Sequence, residues 1–87
     1  MNQENFIRAK QIERNLNNIN QNIDRIQQVI ESKMLDKDLT SIQVFDCNGK
    51  IVRTLQIQTP ALRTGLKIEL ASWIDERTKL EQEFESL

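Results

Sequence analysis

Arg63 and Lys67 lie four residues apart beside Thr59, Thr64 and the single proline, Pro60. The stretch around them carries no acid from Cys47 to Ile68, while Lys50 and Arg53 add two more bases. A Thr followed by Pro starts a helix, with the Thr as cap and the Pro at the first helical position. A helix start presents unpaired N–H groups and a partial positive charge, which attract phosphate or carboxylate. An Arg fork adds a bidentate grip on phosphate. Thr59, Arg63, Thr64 and Lys67, with Arg53 nearby, therefore form a candidate anion site. A cap surrounded by ordinary surface bases has the same residue pattern, so the motif alone leaves both readings open.

Other chemistry is sparse. The chain has no His, which removes the commonest general base and metal ligand. Its one cysteine, Cys47, excludes an internal disulfide framework and a thiolate zinc site, and with no His beside it is a poor nucleophile. Asp36 and Asp38 share a connector, but two acids fall short of the six or more oxygens a hard cation takes. Asp75, Glu76, Glu81, Glu83 and Glu85, around Arg77 and Lys79, read as a solvated, salt-bridged helix face. No Gly-rich phosphate loop, nucleophile elbow or HExxH pattern occurs. The expectation is a protein that is not an enzyme and holds no metal or cofactor. A net charge of −1 argues against binding long nucleic acid, and the absence of Tyr leaves few stacking platforms.

The elements that position these residues follow from apolar spacing. In 87 residues there is room for one domain, 1–87, and two Gly and one Pro are too few to punctuate an all-strand fold. A helix is predicted over about 3–35. Its seam is Ala9, Ile12, Leu16, Ile19, Ile23, Ile26 and Ile30, alternating steps of three and four. Such a stripe must be covered by a partner, in the same chain or another. From Asn15 to Asn22 the helix is uncharged and Asn-rich, either a solvated polar face or an amide surface for a subunit or ligand.

A β-hairpin is predicted over about 39–58, flanking Cys47-Asn48-Gly49. Asn48-Gly49 suits a two-residue turn. Asp46 opening a type I turn, with Gly49 left-handed as a bulge, suits the tip better. That choice sets Phe45 opposite Ile51, Val44 opposite Val52, and Asp46 beside Lys50. A second helix is predicted over about 60–85, with Leu62, Leu66, Leu70, Trp73, Arg77, Leu80, Phe84 and Leu87 along its seam. Gly65 marks a close approach or a weak point. Arg77, inside the seam, is expected to set register by pairing with Asp24. The fold class is mostly α (α+β): two long antiparallel coiled-coil-like helices joined by a β-hairpin.

A domain this small buries only roughly 60–65% of its unfolded surface, and long helical chains of this size gain burial by oligomerising. A homo-oligomer, at least a dimer, is expected. Its interface is drawn from Ile12, Leu16, Ile19, Ile23, Ile26, Ile30, Phe45, Val52, Leu66, Leu70, Trp73, Leu80 and Phe84. No apolar run suits a membrane span and the first ten residues lack an apolar signal core, so a cytoplasmic setting is expected.

In its order of elements (helix, β-hairpin, helix) the chain resembles the β-type prefoldin subunit, which would imply a holdase chaperone. In size and in its Asn- and Ile-rich composition it resembles the accessory proteins of bacteriophages and mobile elements. That group includes anti-defence proteins, some of which are oligomeric sponges for nucleotide signals. This likeness implies sequestration of a phosphorylated nucleotide in the host cytoplasm, or inhibition of a host protein through the hairpin tip or the amide face.

Overall fold

The computed structural model describes residues 2–33 and 37–87. Helix α1 spans Gln3–Ile30. Asn2, with an extended backbone, caps it: its Oδ1 accepts the Asn5 N–H at 2.8 Å. α1 stops at Ile30, short of the expected end near 35. The next seam place is Lys33, so the apolar stripe runs out there; the Glu31 N–H makes the last α-helical bond, to the Gln27 carbonyl, and the Ser32 N–H then closes a tighter turn on the Val29 carbonyl. Leu35 and Asp36 lie outside the described residues.

Helix α2 spans Thr59–Glu85 and returns antiparallel along α1. The seams meet as the spacing requires. Ala9, Ile12, Ile19 and Ile23 are buried, and Leu16, Ile26 and Ile30 half-buried. On α2, Leu62, Leu66, Leu70, Trp73, Ile74 and Leu80 are all half-buried. The core is thin, because two helices cover each other on one side only. Among the described residues, Ile12 alone of the large side chains is fully buried, which is worth roughly 1.5–3 kcal/mol relative to exposure. Arg77 occupies its expected seam place but not with Asp24. Its Nη1 donates to Asn20 Oδ1 at 3.2 Å, and its Nε lies 3.7 Å from Glu81 on its own helix. Asn20 carries no charge, so Arg77 keeps a hydrogen bond across the pair without burying an ion pair there.

Strands β1 (Leu39–Phe45) and β2 (Ile51–Gln58) form a two-stranded antiparallel sheet. The tip has the expected turn. The Gly49 N–H donates to the Asp46 carbonyl at 3.1 Å, and the Asp46 N–H donates to the Lys50 carbonyl at 2.9 Å. Gly49 has φ of 82°, a left-handed conformation that glycine adopts without steric cost. Asp46 Oδ1 also accepts the Asn48 and Lys50 N–H groups at 2.8 and 3.0 Å.

Phe45 pairs with Ile51, but Val44 pairs with Arg53 rather than Val52. The turn chemistry sets one register at the tip. Continued down the strands, it would place Ile42 against Thr54 and Thr40 against Gln56. An extra residue on β2, Val52, shifts the base so that Ile42 meets Leu55, Thr40 meets Ile57 and Gln43 meets Thr54. The bulge reconciles the turn with the apolar pattern, since a slip of one residue exchanges the two faces.

No linker separates sheet and helix. The Thr59 N–H donates to the Asp38 carbonyl at 2.9 Å, and the Thr59 and Thr40 hydroxyls are bonded at 2.8 Å. The far end of the helix pair is closed by Arg8, whose Nη2 and Nε lie 2.7 and 3.0 Å from Glu83 Oε2. The molecule measures 54 × 28 × 16 Å.

Candidate functional site

The first turns of α2 and the segment entering β1 enclose a groove of about 510 Å³, lined by Lys37, Asp38, Thr59, Pro60, Arg63, Thr64 and Lys67. Four of the five residues expected at an anion site therefore share one concavity. Arg53 does not: it sits exposed on β2 opposite Val44. Lys37 and Asp38 join through the hairpin register. Leu39 pairs with Gln58, so continuing the ladder by two residues brings 38 and 37 beside Thr59 and Pro60. That signal was available in the sequence once the base register was known.

The groove works differently from a helix-cap anion site. Gln58, not Thr59, occupies the cap position of α2, and no side chain caps the helix. Thr59 is 3% exposed, its N–H is taken by Asp38 and its hydroxyl is bonded to Thr40. Pro60 has no N–H. The Thr64 hydroxyl donates to the Pro60 carbonyl at 3.0 Å. The threonines thus serve as walls. Attraction for an anion comes from Lys37, Arg63 and Lys67 and the positive end of the helix dipole, and among the described lining residues the carboxylate of Asp38 offsets it.

A second, shallower groove of about 350 Å³ runs along the helix pair, with Asn15, Asn18 and Asn22 of the amide-rich segment facing Trp73 and Leu80. Trp73 Nε1 donates to Glu69 Oε1 at 2.9 Å, and Arg8 at the groove's end is committed to Glu83.

The interface residues expected from the sequence separate into two groups. Ile12, Ile19 and Ile23 are buried in the seam of the helix pair, and Leu16, Ile26, Ile30, Leu66, Leu70, Trp73 and Leu80 are half-buried along it. Phe45, Val52 and Phe84 remain exposed, joined by Leu39, Val44, Ile51 and Leu55 on the hairpin. Cys47 is exposed at the tip.

The chain matches no family model, no curated protein and no solved structure in comparisons with each. The site therefore rests on its own geometry. Among the described residues, no group of three or more His, Cys, Asp or Glu side chains gathers as a metal site. Nor is any helix among them long and apolar enough to cross a membrane.

Proposed function

We propose that this chain acts by binding, as a small self-associating protein that captures a phosphate-bearing small molecule in the groove at the start of α2. The convergence of Lys37, Arg63 and Lys67 on one concavity carries the reading. Three cations at one rim, two of them on one helix face, suit a ligand with two or more phosphates. The likeness to phage accessory proteins favours a nucleotide signal of host defence, sequestered in the host cytoplasm. The test is calorimetric titration and thermal melting with inorganic phosphate, pyrophosphate and a panel of linear and cyclic nucleotides. A ligand at about 100 times its dissociation constant stabilises by about 2.7 kcal/mol. Arg63→Gln with Lys67→Gln is expected to abolish the shift. No shift with any member of the panel sinks the ligand reading.

A second reading, a protein-binding adaptor, is favoured by the hairpin tip, where Phe45, Ile51 and Val52 are each half or more exposed. Monomeric soluble proteins rarely leave such residues clustered unless something covers them. Loss of a host partner on Phe45→Ser, with unchanged nucleotide response, supports the adaptor over the sponge.

A further inference from the structure

The two edges of the hairpin are not equivalent. β2 carries the Val52 bulge and the charge of Arg53, devices that blunt an edge against pairing. β1 has seven residues, Leu-Thr-Ser-Ile-Gln-Val-Phe, with no charge and no proline, and its side of the ladder is the unbulged one. The Asp46 N–H points to β2, since it donates to Lys50. Alternation along the strand then turns the N–H and C=O groups of Val44, Ile42 and Thr40 toward β2. Those of Leu39, Ser41, Gln43 and Phe45 are turned outward, on an open edge.

The amount of free surface is also large. The chain exposes 7024 Å². A compact protein of its 10.2 kDa exposes roughly 5,300 Å². The surplus, about 1,700 Å², is roughly twice the 800 Å² that each partner contributes to a standard interface.

We propose that β1 is a homotypic docking edge. It pairs antiparallel with β1 of a second copy about a two-fold axis through Ile42, making a four-stranded sheet in which the two β1 strands are central. β1 is its own best complement in this register. Ile42 meets Ile42, Thr40 meets Val44, and Ser41 meets Gln43. Leu39 meets Phe45, which places two of the exposed apolar side chains against each other across the axis. All seven residues are used, and the outward groups of Ser41 and Gln43 face each other in hydrogen-bonding positions. No like charges meet within the strands. This specifies the self-association in the binding reading above, and it is measured by mass rather than by ligand. A failed nucleotide titration therefore leaves it standing, and a failed dimer leaves the groove standing.

The test is sedimentation of the full chain over a wide concentration range, with far-ultraviolet circular dichroism as a fold control. The parent is expected at twice 10.2 kDa. Ser41→Lys with Gln43→Lys places like charges opposite each other twice across the axis and is expected to halve the mass with helicity unchanged. Thr54→Lys with Gln56→Lys alters the partners of the same two residues inside the hairpin, yet lies on the other edge and is expected to leave the dimer intact. Mixing the Ser41→Lys/Gln43→Lys chain with a Ser41→Glu/Gln43→Glu chain is expected to restore the doubled mass. A parent that is monomeric throughout, or a dimer that survives the β1 lysines, overturns the proposal. So does loss of the dimer in both edge variants alike, or no recovery on mixing.

Discussion

The joint between sheet and helix makes a quantitative prediction through two hydroxyls. Thr59 is 3% exposed and Thr40 half-buried, with their oxygens 2.8 Å apart. Thr→Val keeps the branched shape and removes only the hydroxyl, so neither change opens a cavity. Thr40→Val leaves the Thr59 hydroxyl enclosed without its partner. An orphaned buried group costs about 1–3 kcal/mol, and the near-complete burial of Thr59 puts this change near 2 kcal/mol. Thr59→Val orphans Thr40, which water partly reaches, and is expected to cost about 1 kcal/mol. The double variant removes donor and acceptor together, a replacement that is nearly neutral, so it should cost no more than either single change. The coupling energy is then about 2–3 kcal/mol. Urea unfolding followed by far-ultraviolet circular dichroism, at one fixed protein concentration, measures all four corners of the cycle. Additivity within about 0.5 kcal/mol would falsify the shared bond.

Three further outcomes are expected. Ile12→Ala, at a fully buried large side chain, should cost about 2–5 kcal/mol. That is a large share of the roughly 4–13 kcal/mol expected for a chain of this length, so its melting midpoint should fall steeply. The two glycines should respond oppositely in the same melting experiment. Gly65→Ala, whose added methyl meets no atom within 4 Å, should stabilise α2 by about 1 kcal/mol. Gly49→Ala, forced to φ of 82°, should destabilise the tip by about 1–2 kcal/mol. Finally, Lys79 is held above the ordinary lysine value of 10.5 by its hydrogen bond to Asp75 and the negative charges of Asp75 and Glu76. A raised folded pKa contributes stability that is complete below the unfolded value and lost as pH climbs through the folded one. Lys79→Met should therefore melt slightly below the parent throughout the range under pH 10.5, with the difference closing as the pH climbs above that value.

The helical seams were legible because each residue's burial follows from its angle on a single helix. Steps of three and four from Ala9 to Ile30 describe one line, and only one face can satisfy it. The hairpin tip was legible for a similar reason, since Asp46 and Gly49 fit one turn. The base register was not. Two local rules, the turn and the apolar alternation, each call for a different offset, and the sequence does not say which yields. The adjacent pair Ile51-Val52, which breaks the alternation of Leu55 and Ile57, is the residue-level trace of that conflict. Arg53 belongs with the other bases by sequence proximity alone, and five positions of extended strand separate it from Gln58 at the foot of α2; Lys37 and Asp38 reach the groove from across the hairpin, where sequence proximity gives no sign of them. Thr59 has the sequence of a cap, yet its hydroxyl serves a tertiary partner, Thr40, that only the folded register supplies. For Arg77, charge alone points to a carboxylate partner, whereas the helix phase presents the amide of Asn20.

The hydrogen bond from Thr59 to Asp38 joins residues 21 positions apart, whereas Arg8 and Glu83 are 75 apart in the chain. Loop-closure entropy rises with the length of chain enclosed. The hairpin and its clasp therefore assemble on local terms, and only then does each further seam contact extend an enclosure already begun. Loop-closure entropy therefore favours assembly as a zipper, from Ile30 and Leu62 outward, with the Arg8–Glu83 pair fastened last. The same gradient runs in reverse during opening. Amide exchange should be fastest in the first turns of α1 and the last of α2, rising in protection toward the hairpin. On chain-closure entropy, the end of the molecule that carries the basic groove is thus the end favoured to form first.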